Sequence, residues 1–284
     1  MPLMLEPKTT TDCRRMPELP EVETARRGIE PSIVGRRISG WQLRQPRLRW
    51  PVELPDRLKG ERVHRVLRRA KYLILETDSG ALILHLGMSG SLRLTKVGAA
   101  ASRHDHVDLE FSGQRALRLT DPRRFGSIHY HAGDWRTHWL ISGLGVEPLA
   151  PAFDGEYLHR MSRGRRVAVK LLLMDAAVVV GVGNIYANES LFRAGIRPRL
   201  AAGKVSRDRC DALAESVREV LSEAIEQGGT TLRDFVDESG RRGYFSQSLN
   251  VYGREGLPCY QCGSILKGIR IGQRATVYCP KCQR

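Results

Sequence analysis

The folded part of the chain is organised around Met16-Pro17-Glu18-Leu19-Pro20-Glu21-Val22-Glu23. This stretch places three carboxylates and two prolines directly after a methionine. Apolar residues then recur at intervals of three and four, at Val22, Ala25, Ile29 and Ile33. Such spacing predicts a helix from about Val22, which Pro31 can bend or end early.

The chemistry available to this stretch depends on whether Pro17 becomes the first residue. Removal of Met16 would free a secondary amine, and an α-amino group has a substantial neutral fraction, which is nucleophilic, around neutral pH. Such an amine can form a Schiff base with a carbonyl-like carbon, and Glu18 would be close enough to transfer protons. Spacing alone favours the alternative, a proline-rich lead-in whose acidic residues favour a helix N-terminus.

Composition indicates a folded, basic protein. The chain has 284 residues, 41% of them hydrophobic, which suffices for a sizeable core and roughly two or three domains. Lys and Arg outnumber Asp and Glu by 46 to 31, a net charge of +15, and residues 1–15 contribute only one of these charges. This surplus favours a polyanion such as DNA, although a basic face also suits a membrane surface or solubility.

Two observations favour a cytoplasmic protein without a membrane partner. No apolar run approaches the roughly 20 residues of a membrane span. Residues 1–15 include Glu6 and Asp12 and lack the apolar core of a secretory signal. Because they also lack hydrophobic periodicity, we expect them to be disordered.

The pattern of the chain changes near residue 147. Short segments punctuated by Gly, Pro and Asp lie between Ile38 and His131, and Val107–Phe111 alternates strictly, as in an antiparallel sandwich or barrel. Beyond Gly145–Pro148 the pattern becomes helical, most clearly from Val205 to Ile225. Asp237–Gly243 has the composition of a mobile polar loop.

Four of the six cysteines fall near the C-terminus as Cys259-x2-Cys262-x16-Cys279-x2-Cys282, whereas Cys13 and Cys210 are isolated. Each pair has the spacing that grips one side of a tetrahedral ion, so the sequence predicts one structural Zn²⁺. Four thiolates leave no position for a catalytic water. The ion is therefore expected to stabilise a small β-hairpin.

The stretch from Met16 to Ile29 resembles the N-terminus of bacterial formamidopyrimidine-DNA glycosylases, which repair oxidised purines. The resemblance recurs in family order from there to the C-terminus, at Arg68–Tyr72, His85–Gly90, Asp121–Gly126, Gly181–Ala187 and Gln273–Thr276. Leu19 favours this branch over the related endonuclease that prefers oxidised pyrimidines, which usually has glycine at that position.

The resemblance implies an α+β fold with DNA bound across a cleft between two domains. The expected parts are a catalytic antiparallel β-sandwich over residues 16–147, a helix-two-turn-helix domain over 148–248 and a zinc hairpin over 249–284. The expected partner is double-stranded DNA containing oxidised bases, and the protein is expected to be monomeric and associated with the bacterial nucleoid.

Four catalytic roles follow from the resemblance. Pro17 attacks C1′ of the sugar, and Glu18 is the principal acid and base. Lys71 contacts a phosphate and takes part in β-elimination, while Arg274 binds the phosphate near the lesion and assists the second elimination. Without the resemblance, the run that ends at Lys71 would be interpreted as a solvated edge, and Arg274 as a solvated hairpin residue.

The remaining roles concern DNA. Met88, Arg123 and Phe125 form the family's wedge in the gap left by an extruded nucleotide, although Met88 and Phe125 would otherwise be assigned to the core. The other expected DNA contacts, with Arg166 standing where the family often has lysine, are His104, Arg166, Lys170 and Asn184. Asn184 is also the predicted N-cap of a helix, and ordinary capping explains it equally well. Glu189 in the same segment resembles a structural carboxylate.

These assignments predict a bifunctional DNA glycosylase and AP lyase that removes 8-oxoguanine and formamidopyrimidines and then cleaves the strand by β,δ-elimination. One alternative is the relative that prefers oxidised pyrimidines. Another, if Pro17 stays blocked by the preceding residues, is a catalytically inactive protein that binds damaged DNA, because an amide nitrogen cannot act as a nucleophile. Since the resemblance begins at Met16 and includes Pro17 and Glu18, it implies that the functional start is Met16 and that residues 1–15 are a misassigned start or a removable extension.

Overall fold

The computed structural model describes residues 17–228 and 249–284. The expectations of disorder in residues 1–15 and of mobility in Asp237–Gly243 lie outside this part of the chain. Within it, the chain forms two four-stranded sheets, a set of helices and a two-stranded hairpin. No helix of the described residues is long and apolar enough to cross a membrane.

The N-terminal half is built from two antiparallel sheets. The first sheet has the strand order β1-β6-β7-β5, with strands β1 (Ile38–Leu43), β5 (Ser91–Lys96), β6 (Asp105–Phe111) and β7 (Arg115–Thr120). The second has the order β2-β3-β4-β8, with strands β2 (Arg65–Arg69), β3 (Tyr72–Glu76), β4 (Gly80–His85) and β8 (Ser127–Ala132). The predicted antiparallel architecture is confirmed.

One apolar core joins the two sheets. Val107, Leu109 and Phe111 of β6 enter it as the alternation of the sequence requires. The apolar face of helix α1 (Leu19–Ile33) completes this core with Val22, Ala25, Ile29 and Ile33. The helix begins at Leu19, earlier than the spacing indicates, and Pro20 is tolerated because it lies in the first turn. Pro31 lies in the last turn, and the helix continues to Ile33.

The helical part of the chain contains α2 (Gly155–Ser162), α3 (Val169–Leu173), α4 (Asn184–Arg193) and α5 (Arg207–Glu226). The predicted apolar face of α5 is buried in a second core, with Leu213, Val217 and Leu221 fully covered. Leu19 of α1 belongs to this second core and not to the sandwich core. The first turn of α1 is therefore anchored in the helical domain.

A β-hairpin of β9 (Lys267–Ile271) and β10 (Arg274–Tyr278) follows. Val277 of β10 belongs to a small apolar core with Phe192 of α4, and its N–H donates to Oδ1 of Asn188 on the same helix at 3.0 Å. The hairpin is thus docked on α4. Together these parts confirm the predicted α+β class.

Candidate active site and DNA-binding surface

The side chain of Glu18 is buried where the two domains meet, with 2% of its surface exposed. Its carboxylate accepts the N–H of Gly183 at 2.7 Å and the N–H of Ile185 at 2.9 Å. These amides lie at the N-terminus of α4, where a helix has unpaired donors and a positive dipole end. Helix α4 therefore holds the carboxylate in one orientation.

The surroundings raise the pKa of Glu18 above its ordinary value. Burial is the largest cause, opposed by the positive charge of Lys71 and reinforced by the negative charge of Glu21, while the two amide hydrogen bonds lower it. A raised pKa is typical of carboxyl groups that act as general acids or bases. Glu18 thus has the properties of an acid-base group.

Glu21 and Tyr186 fix the backbone beside Glu18, a role that the sequence reasoning missed. One oxygen of the buried Glu21 carboxylate accepts the N–H of Glu18 at 2.9 Å, and the other accepts the hydroxyl of Tyr186 at 2.7 Å. The N–H of Leu19 also donates to the carbonyl of Gly181 at 3.1 Å. An acidic residue three positions after a helix start was the available signal for Glu21. Pro17, half-buried, precedes this fixed segment directly.

Lys71 lies in the tight turn between β2 and β3, next to Ala70 with φ +55°. The rest of its basic run is not a solvated edge, because Arg68 and Arg69 both bind the carboxylate of Glu147, at 2.7 and 2.9 Å. Lys71 makes no hydrogen bond or ion pair with the residues that the structure describes, yet it is close enough to Glu18 to affect its pKa. Its ammonium is therefore available to a ligand in front of Glu18.

The prediction that Asn184 is the N-cap of α4 is wrong. The capping position is Gly183, whose extended backbone precedes the helix, and the distant Glu18 carboxylate satisfies the helix amides. Asn184 instead donates from Nδ2 to the carbonyl of Ala275 at 3.1 Å. Its Oδ1 is a buried oxygen that has no hydrogen-bond partner among the residues that the structure describes. The side chain thus joins α4 to the hairpin.

The structure also corrects the expectation that Lys170 is a cleft lysine that contacts DNA. Lys170 is fully buried, and its Nζ donates to Thr276 Oγ1 at 2.7 Å and to the carbonyl of Ala275 at 3.0 Å. Burial lowers its pKa to about 7, opposed by the charge of Glu18 and reinforced by that of Arg274. Lys170 therefore joins α3 to β10 and does not present its ammonium at the surface.

Arg274 is exposed at the start of β10, after a turn in which Gly272 and Gln273 have φ of +53° and +62°. The turn packs on α3, since a Cβ atom at Gly272 would lie 2.7 Å from Cδ2 of Leu171. The charge of Arg274 contributes to the lowered pKa of Lys170. The hairpin thus carries an arginine near Lys170, whose pKa also responds to the charge of Glu18.

The loops that carry Met88, Arg123 and Phe125 are in contact. A Cβ atom at Gly87 would lie 2.4 Å from the carbonyl carbon of Phe125, and Ser89 Oγ donates to Asp121 at 2.7 Å. Arg123 lies over the ring of Phe125 at 4.8 Å, and Phe125 remains 42% exposed. The assignment of Phe125 to the core, which its sequence context alone would suggest, is therefore wrong.

Two other predicted DNA contacts lie in loops. His104 is half-buried just before β6, and its carbonyl accepts the N–H of Asp121 at 3.0 Å, next to the Phe125 loop. Arg166 is exposed between α2 and α3 in the helical domain.

Glu189 accepts the backbone N–H groups of Asn250, Val251 and Tyr252 at 2.8–2.9 Å. These hydrogen bonds account for Glu189 as a structural carboxylate.

The four paired cysteines form one cluster, with all four Sγ atoms within 4.8 Å of one another. Sγ of Cys259 lies 4.0 Å from that of Cys282, and Sγ of Cys262 lies 3.4 Å from that of Cys279. A tetrahedral zinc-thiolate site has sulfur atoms about 3.8 Å apart. The cluster therefore fits one structural Zn²⁺, as predicted.

Three family models match consecutive parts of the chain. They describe the formamidopyrimidine-DNA glycosylase N-terminal domain at residues 16–128, the H2TH domain of that protein at 144–236, and a zinc finger found in FPG and IleRS at 256–284. The chain belongs to the formamidopyrimidine-DNA glycosylase family. The resemblance seen in the sequence motifs is confirmed, and membership in this family makes the chain a DNA-repair glycosylase with a zinc finger.

Individual relatives are similar to this chain along most of its length. The formamidopyrimidine-DNA glycosylase of Alkalilimnicola ehrlichii is 59% identical over 277 residues, covering 95% of this chain and 100% of the relative. Among solved structures, Lactococcus lactis Fpg in complex with DNA containing an abasic site has a TM-score of 0.85 at 33% identity, covering 94% of this chain and 99% of that one. The same enzyme bound to DNA containing Fapy-dG has a TM-score of 0.84 at 33% identity, covering 94% and 100%.

Proposed function

We propose that this glycosylase is bifunctional: it removes oxidised purines, namely 8-oxoguanine and formamidopyrimidines, and then cleaves the strand as an AP lyase. The observation that carries the proposal is the position of Glu18, buried against the N-terminus of α4 and adjacent to Pro17. The relative bound to DNA containing Fapy-dG supports the substrate class.

In this mechanism Pro17 is the N-terminal residue, and its secondary amine is the nucleophile. The nitrogen forms a bond to C1′ while the glycosidic bond breaks and the base leaves with a proton supplied through the acid-base group Glu18. Opening of the sugar ring gives a Schiff base on Pro17. Loss of the C2′ proton then expels the 3′ phosphate, and a second elimination expels the 5′ phosphate.

Cations position the leaving phosphates. Lys71 lies within electrostatic reach of Glu18, and Arg274 is presented beside Lys170 by the hairpin. Phosphate contacts by Lys71 and Arg274 would hold the backbone in line with the amine of Pro17. The buried Lys170 contributes by fixing the hairpin rather than by touching DNA.

The target nucleotide must leave the duplex, because its C1′ is inaccessible inside the stack. The adjacent loops of Met88 and Phe125 supply apolar groups for the resulting gap, and Arg123 can bond the orphaned base. His104, Arg166 and Asn184 remain proposed contacts to the backbone. We further propose that the protein acts as a monomer on double-stranded DNA in the cytoplasm and associates with the nucleoid.

Borohydride trapping tests the proposal, since reduction converts a Schiff base into a permanent crosslink between protein and DNA. A protein that begins at Met16 and loses that methionine should crosslink to an oxidised-guanine duplex and cleave it. A mass-verified long form with Met16→Leu should bind DNA without doing either, because its Pro17 nitrogen is an amide. Equal crosslinking by the long form would overturn the role of Pro17.

Substrate preference is measured with matched duplexes. The short form should release 8-oxoguanine faster than thymine glycol. The reverse order would place the protein with the pyrimidine-preferring relatives, and binding without excision or crosslinking by the short form would show an inactive damage-binding protein.

A further inference from the structure

Arg118 of β7 is a buried cation on the face of the first sheet opposite to the sandwich core, and it is 1% exposed. Its neighbours in sequence, Leu117 and Leu119, enter the core, so the alternation of the strand directs Arg118 away from it. A side chain on this outer face can be buried only if another segment covers it. Here the covering segment is residues 97–104, which connect β5 to β6.

The guanidinium of Arg118 joins the sheet to this connection. Its Nε and Nη2 donate to the two carboxylate oxygens of Asp108 at 2.7 Å each. Its Nη2 also donates to the carbonyl of Ala99 at 2.7 Å, and its Nη1 to the carbonyl of Ala100 at 2.7 Å. One planar group therefore fixes two consecutive backbone carbonyls relative to β6, which a lysine ammonium cannot reproduce.

Asp105 fixes the other end of the same connection. Its carboxylate lies 3.5 Å from Nη1 of Arg118 and accepts the N–H of Ser102 at 2.7 Å. Two residues after Ser102, the carbonyl of His104 accepts the N–H of Asp121 at 3.0 Å. Asp121 in turn binds Ser89 and Gly126 through its carboxylate, so the segment is tied to the loops of Met88 and Phe125.

We propose that Arg118 is a positioning residue for DNA binding: by holding residues 97–104 on the first sheet, it presents His104 to the DNA backbone. The inference rests on the proposed DNA contact of His104. Arg118 itself does not touch DNA, because its side chain is covered. Its effect on affinity therefore passes through His104.

A double-mutant cycle tests this with a duplex that carries an uncleavable abasic-site analogue. Arg118→Lys keeps a positive charge beside Asp108 but loses the hydrogen bonds to the carbonyls of Ala99 and Ala100. We expect Arg118→Lys and His104→Ala each to weaken DNA binding by roughly three- to tenfold, the value of one hydrogen-bonded contact. The double variant should lose little more affinity than either single variant. Additive losses, or wild-type affinity of Arg118→Lys, would overturn the proposal.

Arg44→Met is the matched control, because Arg44 donates to the same Asp108 at 2.7 Å from the exposed side and has no hydrogen bond to residues 97–104. In the Arg44→Met background, His104→Ala should weaken DNA binding by the same factor as it does in the wild-type protein. Hydrogen exchange separates positioning from general loss of structure: Arg118→Lys should speed exchange at residues 98–104 and leave β6 and β7 protected. Uniformly faster exchange across the sheet would contradict the inference.

The test also distinguishes this inference from the proposed chemistry. Wild-type affinity of His104→Ala would overturn the inference and leave borohydride crosslinking through Pro17 intact. Absence of crosslinking in the wild-type protein would overturn the chemistry, while the affinity cycle would still report on Arg118.

Discussion

The carboxylate of Glu18 accepts the backbone N–H of Gly183 at 2.7 Å, although 165 residues separate the two in sequence. Glu18 belongs to the N-terminal segment and Gly183 to the start of a helix in the other domain. The Glu18 carboxylate is therefore oriented only when both domains are folded and docked. Only glycine fits at position 183 without a steric clash, because a Cβ atom there would lie 2.3 Å from the carboxylate carbon of Glu18.

Gly183→Ala should abolish most excision while leaving DNA binding largely intact. The added methyl group displaces the Glu18 carboxylate, and a misplaced general acid typically costs on the order of a hundredfold or more in rate. Single-turnover excision and equilibrium binding are the measurements. Gly143→Ala is the control, because a Cβ atom there would meet nothing within 4 Å. Normal excision by Gly183→Ala would show that the orientation of Glu18 is unimportant.

Lys71→Ala should reduce the salt dependence of DNA affinity. Each phosphate neutralised by a cation contributes roughly 0.9 to the slope of log affinity against log salt, so the loss of one contact lowers the slope by about one. Titrations at several salt concentrations measure it. Lys59→Ala is a suitable comparison, because Lys59 is exposed and already paired with Asp56. An unchanged slope for Lys71→Ala would exclude the phosphate contact.

Cys279→Ser should remove zinc and loosen the hairpin, because structural zinc supplies folding free energy locally. Displacement of Arg274 would then weaken DNA binding, while the β-sandwich stays folded. Metal content, circular dichroism and affinity report these effects. Cys210→Ser, at a buried cysteine of α5 outside the cluster, should retain zinc. Wild-type affinity in a metal-free Cys279→Ser protein would contradict the prediction.

Lys170→Met should remove a pH-dependent part of stability. The pKa of Lys170 is about 7 in the folded state and 10.5 as its ordinary value, so between these values the unfolded state binds more protons and the free energy of unfolding rises with pH. The stability contributed by uncharged Lys170 is fully present above the ordinary lysine pKa of 10.5 and is lost as pH falls towards 7. It is on the order of a few kcal/mol.

Urea denaturation from pH 7 to 10 measures this contribution. The wild-type protein should gain stability relative to Lys170→Met across that range, whereas Lys59→Met, at an exposed position, should follow the wild-type curve. Parallel curves for wild type and Lys170→Met would show that Lys170 keeps its ordinary pKa.

The sequence predicted those features that depend on neighbours in the chain. The alternation in Val107–Phe111 and the apolar spacing of α1 and α5 each identified the right element, because burial on one face imposes its period on the sequence. The cysteine spacing identified the zinc cluster for a similar reason, since each pair binds within one short turn. The resemblance identified the family.

The sequence could not identify the partners of single polar residues. Asn184 has the identity of a typical N-cap, but Glu18 occupies that role from the other domain. Lys170 has the charge of a DNA contact, but its ammonium is enclosed by the hairpin. Similarly, Arg118 on a strand would be expected at the surface, yet residues 97–104 cover it.

Local pattern by itself determined where helices, strands and the metal site form, and it placed Pro17 and Glu18 together by their order in the chain. Only the tertiary structure decided which groups surround Glu18, because its amide donors, the charge of Lys71 and the Glu21–Tyr186 hydrogen bond come from distant segments. A pKa depends on burial and on nearby charges. Both are properties of packing, and no local pattern in the sequence specifies them.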